Sequence, residues 1–351
     1  MAAGSLRVLL QIHELRNNGA VYTLLHYAQH LRAAGHRATL LAPADSDPAV
    51  RAQFVDAGVA LVDQVRLDPP DFDVAIVSTI INGQAVEQLA PALPVVWWIH
   101  ETRQPGWDDP PGRLRHLFSR ATKIAFPSYR LYFEYSDILA VSSPYLADVV
   151  PNGFETVDYP PRQPRGDGLF RILCVGSLYP RKRQIDLVRA VLALNDPTIR
   201  CTLVGDRYPL TDQYLAEAFA NPAQFAFVHS PSNQALRGLY AQSDMFSLPS
   251  SDEAFAMSPV EAGQAGLPVV LSDLPTYRYV WTDGSNALIH PVGDVAALAR
   301  CIKRLKDDPA LRRQLGERAT EVARCFLREV CVMRLDATVA DAIARRRRPP
   351  V

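Results

Sequence analysis

The sequence predicts an α/β protein of two doubly wound parallel-sheet domains, on three observations. Short apolar runs alternate with helix-length stretches along nearly the whole chain, the order expected of βαβ units. The apolar runs are near-continuous, not alternating, as in strands covered on both faces of a parallel sheet. One stretch, 151–168 (P-N-G-F-E-T-V-D-Y-P-P-R-Q-P-R-G-D-G), is dense in proline and glycine and has no period, and the strand–helix pattern restarts after it. It reads as an interdomain linker. We therefore place one domain at 1–163, a second at 164–327, and a C-terminal helix with a basic tail at 328–351 that packs back toward the first domain.

In the first domain, 6–12 reads as a strand. The stretch 20–34 carries Val21, Leu24, Leu25, Ala28 and Leu31 at helical spacing and stops at Gly35, a helix with its glycine end signal. Further strands are predicted at 38–42, 74–78, 95–99, 124–126 and 138–141. In the second domain, 170–175, 201–204, 225–228, 245–248, 269–271 and 287–289 read as strands, and 184–194, 294–305 and 310–322 as helices. The stretch 326–344 looks helical and runs into Arg345, Arg346, Arg347 and Arg348. In such sheets ligands bind beyond the carboxyl ends of the strands. Two domains facing each other across a cleft supply two such edges, one for each of two substrates.

Composition narrows the class. Over 351 residues, Lys plus Arg and Asp plus Glu number 37 each, so the chain lacks the basic field that general nucleic-acid binding needs. Hydrophobic content of 48% and charged content of 21% are those of a soluble globular protein, and no apolar run reaches the length of a membrane helix. The first residues, M-A-A-G-S-L-R-V-L-L-Q-I-H-E, open a strand pattern and do not read as a signal peptide. The five cysteines show no metal or redox spacing; Cys174 and Cys201 sit in strand-like runs, as buried free thiols do. The location expected is cytoplasmic. The four terminal arginines are either a weak peripheral contact with anionic lipid or a solvated, frayed end.

The segment 250–273, S-S-D-E-A-F-A-M-S-P-V-E-A-G-Q-A-G-L-P-V-V-L-S-D, concentrates the chemistry. It sets Glu253 and Glu261 on either side of a loop that turns into a helix, followed by a short apolar strand. A helix N-terminus offers amide N–H groups to a diphosphate, and carboxylates accept from hydroxyls. Glu261 has a plainer reading: Ser258, Pro259, Val260 and Glu261 form a capping box, with the carboxylate satisfying a backbone N–H. For Glu253 the plainer reading is an exposed loop acid. Arg181, Lys182 and Arg183 fall just before a predicted helix, where cations are unfavourable unless an anion joins them. Their alternative is a solvated helix start. No G-x-G-x-x-G or P-loop lysine motif occurs, which argues against a dehydrogenase or a P-loop enzyme.

These residues resemble a known family. E-A-F-A-M-S-P-V-E-A-G-Q-A-G-L-P-V-V is similar to the E-x7-E signature, E-G-F-G-L-x-x-x-E-A-x-A-x-G-x-P-V-V, of the retaining nucleotide-sugar glycosyltransferases of family four (group 1), which have the GT-B fold of two Rossmann-like domains. Ala254 and Ala256 replace two of its glycines. V-G-S-L-Y-P-R-K-R, 175–183, resembles the family's V-G-R-L-x-x-x-K-G, with Ser177 in place of the usual arginine; Arg181 or Arg183 is the candidate substitute. Val204-Gly205-Asp206, Pro291-Val292-Gly293-Asp294 and Pro151-Asn152-Gly153 match further family positions, so the resemblance spans about 6–325 and is strongest after 170. It is weaker in the N-terminal half, where Asn17-Asn18-Gly19-Ala20 stands at the family's G-G loop.

The resemblance implies an enzyme that moves a sugar from a nucleotide-diphosphate sugar, with retention, with no catalytic metal and no cofactor. The acceptor is a glycan, a lipid, a small molecule or a protein, as in polysaccharide, glycolipid or glycoconjugate synthesis. Lys182, helped by Arg181, Gly19, Gly176 and the amides of Phe255, Ala256 and Met257, would hold the diphosphate. Glu261 would hold the ribose hydroxyls, Glu253 the hydroxyls of the transferred sugar, and His100 would lie beside that sugar. On the acceptor side, in the N-terminal domain, the implied positions are Glu101 and the loop 106–112 with Trp107, Asp108 and Asp109; a structural His100 and an ordinary surface loop are the plainer readings. Tyr129, Tyr132, Phe133 and Tyr135 read as core and edge packing, with an acceptor surface as the other reading. A nucleotide-sugar epimerase or phosphorylase on the same fold, and a non-catalytic sugar-nucleotide-binding subunit, stand as alternatives; a periplasmic binding protein is disfavoured by the absent signal peptide.

Overall fold

A computed structural model describes residues 5–16, 18–43, 46–67, 71–104, 107, 112–142, 146–153, 157–160 and 165–347. Backbone contacts divide the chain into two units, Met1–Gly153 with Arg328–Val351, and Phe154–Leu327.

The first unit holds strands β1 (Arg7–Gln11), β2 (Arg37–Leu41), β3 (Ala60–Val62), β4 (Val74–Ser78), β5 (Val95–Trp98), β6 (Lys123–Phe126) and β7 (Ala147–Val149) in one parallel sheet of order β3-β2-β1-β4-β5-β6-β7. The second holds β8 (Phe170–Val175), β9 (Ile199–Val204), β10 (Phe225–Val228), β11 (Met245–Leu248), β12 (Val269–Ser272) and β13 (Leu288–His290), parallel, in the order β10-β9-β8-β11-β12-β13. In each sheet the winding reverses beside the first strand, between β1 and β4 and between β8 and β11. Those are the switch points at which doubly wound sheets take ligands.

β4, β5, β6, β11 and β12 are buried at every position, which is why their sequences run apolar without alternation. The helix Gly19–Ala33 starts as its sequence directs: the Asn18 side chain accepts from the Val21 N–H, and Val21, Leu24, Leu25, Ala28 and Leu31 are buried. The C-terminal helix Arg328–Arg347 sends Val332, Leu335, Val339 and Ala342 into the core of the first unit.

Two expectations fail. The stretch 138–141 is not a strand but lies in the helix Ser136–Ser142, with the Ile138 and Leu139 N–H groups both donating to the Tyr135 carbonyl at 3.1 and 3.0 Å. Four apolar residues are too few for their period to separate a buried strand from one turn of helix, and Ser136-Asp137 supplies a helix start that outweighs them. The strand of that region is β7, hidden in sequence by its half-exposed positions. The linker reading of 151–168 also needs correction. Pro151–Gly153 belongs with the first unit, and Tyr159 packs edge-on against Tyr240 at 6.0 Å and donates to the Glu261 carbonyl at 3.1 Å.

Candidate functional site

In the second unit the acidic and basic residues singled out from the sequence meet. β8 ends at Val175 and is followed by Gly176, whose φ of +157° suits glycine. The chain then turns through a short 3-10 segment, Pro180–Lys182, and enters the helix Gln184–Leu194 at Arg183, held at φ +51°. A Cβ on Gly205 would stand 2.2 Å from the Gly176 carbonyl oxygen, so the two strand ends approach only because position 205 is glycine. From the other side, β11 runs into the loop that carries Glu253. The two loops are pinned together: the Ser251 N–H donates to the Arg181 carbonyl at 2.8 Å, and an Arg181 N–H donates to the Asp252 carbonyl.

Glu253 is 4% exposed and has three partners. Lys182 Nζ lies 2.6 Å from Oε1, the Ser250 hydroxyl donates to Oε1 at 2.6 Å, and Arg181 Nη1 stands 3.6 Å from Oε2. An exposed loop acid it is not. One carboxylate between two cations leaves the cluster with a net positive charge. Arg183 takes no part, because its guanidinium is spent on Asp186 at 2.6 and 3.1 Å. The three cations at the helix start thus have their anions within the protein, and Arg181 is the one that shares Glu253 with Lys182. Gly176 borders the same residues, with Lys182 Cε 3.7 Å from where its Cβ would be.

The helix Ser258–Gln264 follows. Its N-cap is Met257, not Ser258, and the capping box does not form. The Ser258 hydroxyl donates instead to the Val175 carbonyl at 2.9 Å, tying the helix start to the end of β8. That frees the Glu261 carboxylate from capping, and its Oε2 accepts from the Tyr240 hydroxyl at 2.8 Å. Burial pushes the Glu261 carboxyl up, opposed by the Tyr240 hydrogen bond. Neither Ala254 nor Ala256 has a positive φ, so alanine replaces the family's glycine at both without strain. Phe255 packs on Phe326 at 5.4 Å, and the Ala254 carbonyl accepts from Thr276 Oγ1 at 2.9 Å. The helix is held from behind by contact with Pro309–Arg324: a Cβ on Gly263 would lie 2.6 Å from the Ala319 carbonyl oxygen.

In the first unit, His100 follows β5 and packs at 5.0 Å against Trp98, the two rings tilted by 42°. Neither ring nitrogen has a hydrogen-bond partner among the described residues, and burial pushes the imidazole down to about 3, so it is neutral at physiological pH. The Glu101 carboxylate accepts from the Ile80 and His100 N–H groups at 2.9 and 3.1 Å, and burial raises its pKa. Its oxygens shape the turn around them. Gly19 opens the helix Gly19–Ala33, while Asn17, Gly106, Asp108 and Asp109 fall outside the described residues. Trp107 is half-buried and donates its N–H to the Gln104 carbonyl at 3.3 Å. Arg345 is paired with Asp341 at 2.9 Å and Arg346 donates to the Ala90 and Pro91 carbonyls, while Arg348 is outside the described residues.

Sequence reasoning missed His13 and Thr79. Thr79 sits at φ +74°, with its hydroxyl 2.8 Å from His13 Nδ1 and its carbonyl accepting from the Trp97 indole at 2.8 Å. A β-branched residue with positive φ leaves no mark in sequence. Ser250 and Tyr240, the partners of the two glutamates, were equally hidden, because each looks like ordinary strand-end or helix-core sequence.

Two family models match the chain, Glycosyl transferases group 1 over residues 158–322 and Glycosyl-transferase family 4 over residues 4–121. The chain belongs to the family 4, group 1 glycosyltransferases. Among curated relatives, D-inositol 3-phosphate glycosyltransferase of Corynebacterium glutamicum is 28% identical over 179 residues, 48% of this chain and 43% of that protein. MMP alpha-(1->4)-mannosyltransferase of Mycolicibacterium hassiacum is 32% identical over 203 residues, 53% and 47% of the two. The chain spans less than half the length of these relatives. The solved structure of Anabaena HepE in complex with UDP is similar at TM-score 0.79 and 18% identity, over 95% of this chain and 99% of that one. Sucrose-phosphate synthase from Thermosynechococcus elongatus gives 0.77 at 18% identity, over 97% and 100%. These likenesses bear out the GT-B fold expected from the sequence. Among the described residues no helix is long and apolar enough to cross a membrane.

Proposed function

We propose that this protein is a retaining, metal-independent glycosyltransferase that moves a sugar from a nucleoside-diphosphate sugar to a hydroxyl of an acceptor. The observation that carries the reading is the cluster of Lys182 and Arg181 around buried Glu253 at the end of β8. The barrier in such a transfer is charge separation, positive at the anomeric carbon and negative on the departing phosphate. Lys182 and Arg181 supply fixed positive charge for that phosphate, joined by backbone amides of Phe255, Ala256 and Met257 and by that of Gly19. Glu253 orients hydroxyls of the transferred sugar, and Glu261 accepts from the ribose hydroxyls. His100, neutral, serves the transferred sugar as a hydrogen-bond partner that adds no charge. In the step itself the acceptor oxygen bonds to the anomeric carbon on the face from which the phosphate leaves. The C–O electron pair departs with the phosphate oxygen, which takes the acceptor's proton.

A thermal-shift screen against UDP-, GDP-, ADP- and TDP-sugars tests the donor site, since a bound ligand raises Tm by mass action. One donor class stabilises the protein and does not stabilise Glu261→Ala; no shift with any donor overturns the assignment. Stereochemistry is tested by NMR on the first-formed product: an inverted anomer refutes retention.

A further inference from the structure

The first unit holds an oriented imidazole at its switch point that the donor reading does not use. His13 lies just beyond β1, and Thr79 directly follows β4, the strand beside it. Those two strand ends flank the place where a doubly wound sheet takes ligands. Thr79 stands at φ +74° and ψ +147°, a conformation open to glycine and strained for a β-branched residue. Three hydrogen bonds hold it there. Its N–H donates to the Trp98 carbonyl at 2.8 Å, its carbonyl accepts from the Trp97 indole at 2.8 Å, and its hydroxyl lies 2.8 Å from His13 Nδ1. The strained residue thus fixes the imidazole through one nitrogen. The other, Nε2, has no hydrogen-bond partner among the described residues: Glu14 Oε1 stands 3.7 Å away and accepts from Asn18 at 3.1 Å instead. The His13 side chain stays 26% exposed, so it is not sealed into the core. Burial pushes the imidazole down, opposed by Glu14, which leaves the ring neutral at physiological pH.

We propose, resting on the transferase reading, that His13 Nε2 binds a hydroxyl of a sugar acceptor, with Thr79 as its positioning residue. A hydroxyl both donates and accepts, so it suits Nε2 in either tautomer. The charged groups beside the ring, Glu14 and Arg16, pair at 3.5 Å and offset each other, which selects a neutral hydroxyl over an anion or an amine. His100, the residue given to the transferred sugar, follows β5, on the other side of β4 from β1. Two strand spacings, about 10 Å, separate β1 from β5. The two histidines thus stand in one row of strand ends, spaced for two neighbouring sugar rings. None of the donor cluster's residues takes part, so His13 can be tested apart from nucleotide binding.

The test is NMR of the full chain carrying histidine labelled at Cε1, titrated with methyl α-glucoside, methyl α-mannoside and methyl α-galactoside. At least one glycoside should shift the His13 signal, and its affinity is then followed in variants by saturation-transfer NMR. A glutamine amide reaches the place of Nε2, and an asparagine amide that of Nδ1. His13→Gln should therefore keep glycoside affinity within about threefold, whereas His13→Asn, which preserves the tie to Thr79, should weaken it about tenfold or more. Thr79→Val removes the hydroxyl at nearly constant shape and should weaken binding in the same direction as His13→Asn. Binding kept in His13→Asn and lost in His13→Gln would reduce the pair to a structural tie and overturn the proposal, as would an unmoved His13 signal with all three glycosides. Calorimetry with UDP, GDP, ADP and TDP on the same wild-type sample judges the donor site. Glycoside binding through His13 with no nucleotide bound refutes the donor assignment alone; nucleotide binding with no glycoside bound refutes the role of His13 alone.

Discussion

Removing the ammonium from the Lys182–Glu253 pair should cost stability and nucleotide affinity together, whereas neutralising the carboxylate should raise affinity for a bare nucleoside diphosphate. At 2.6 Å and an effective dielectric of about 20, the gross attraction is about 6 kcal/mol. Desolvation of a buried pair offsets most of that, and truncating one partner typically costs roughly 3–5 kcal/mol because the other charge is stranded. Here Glu253 would keep Ser250 at 2.6 Å and Arg181 at 3.6 Å, so it is not stranded and the cost falls below that range, to about 2 kcal/mol. With a urea m-value of about 2 kcal/mol/M, Lys182→Ala should lower the midpoint of the second unit by about 1 M. Trp281, 3% exposed, is the second unit's own tryptophan, and fluorine NMR of 5-fluorotryptophan separates it from Trp97, Trp98 and Trp107. Lys182→Met/Glu253→Gln should recover most of the loss, giving a coupling of about 1–2 kcal/mol in the double-mutant cycle. Calorimetry with UDP, the ligand of the HepE complex, supplies the functional arm. Lys182→Ala should weaken UDP about tenfold, and Glu253→Gln should strengthen it about fivefold by removing the anion that competes with phosphate for Lys182. If Glu253→Gln weakens UDP as much as Lys182→Ala does, the carboxylate does not oppose a phosphate and the assignment fails.

Three other outcomes follow from the geometry. The Glu261 carboxyl is raised by burial, so the folded chain holds that proton more tightly than the unfolded one. Its contribution to stability is therefore present at low pH and lost as pH rises from the unfolded value through the raised one. Hydroxyl donors favour the carboxylate, so nucleotide affinity should fall as pH drops through that range and flatten in Glu261→Gln; equal pH profiles in calorimetry would separate Glu261 from the nucleotide. Lys123→Met takes the buried ammonium from between Asp148 and Asp341 and leaves them only the Thr338 and Arg345 side chains as partners among the described residues, at 2.8 and 2.9 Å. It should cost about 2–4 kcal/mol and speed proteolytic release of the C-terminal helix, and an unchanged Tm and digestion pattern would refute this. Gly263→Ala places a methyl 2.6 Å from the Ala319 carbonyl oxygen and should destabilise by roughly 1–3 kcal/mol, read as a lowered Tm.

The two sheets were legible because buried parallel strands write continuous apolar runs, and Val74–Ser78 matches its predicted bounds residue for residue. The three-residue strands Ala60–Val62 and Ala147–Val149 were not, because a half-exposed edge strand has neither the run nor the period. At the candidate site the sequence put Arg181 and Lys182 before one helix and Glu253 in the loop before another, but could not pair them. That pairing depends on β8 and β11 being neighbours, a tertiary fact. The capping-box pattern at Ser258 and Glu261 misled for a related reason. The local rule allows the box, and two long-range partners, the Val175 carbonyl and the Tyr240 hydroxyl, claim both side chains first.

The three departures from the family pattern bear on whether this is an active enzyme or a binding subunit. Alanine at 254 and 256 would matter if those positions needed positive φ, and they do not have it. Alanine there narrows the unfolded ensemble relative to glycine, which stiffens the loop carrying Glu253 instead of distorting it. Ser177 removes a cation, but Arg181 brings its guanidinium to 3.6 Å from Glu253 and is fixed there by the Tyr179 hydroxyl at 2.6 Å and the Asp252 carbonyl. Two cations on the loop that faces the carboxylate restore the charge count that an arginine at 177 would have given. In the folded chain none of the three strains the backbone or lowers the charge count of these two loops.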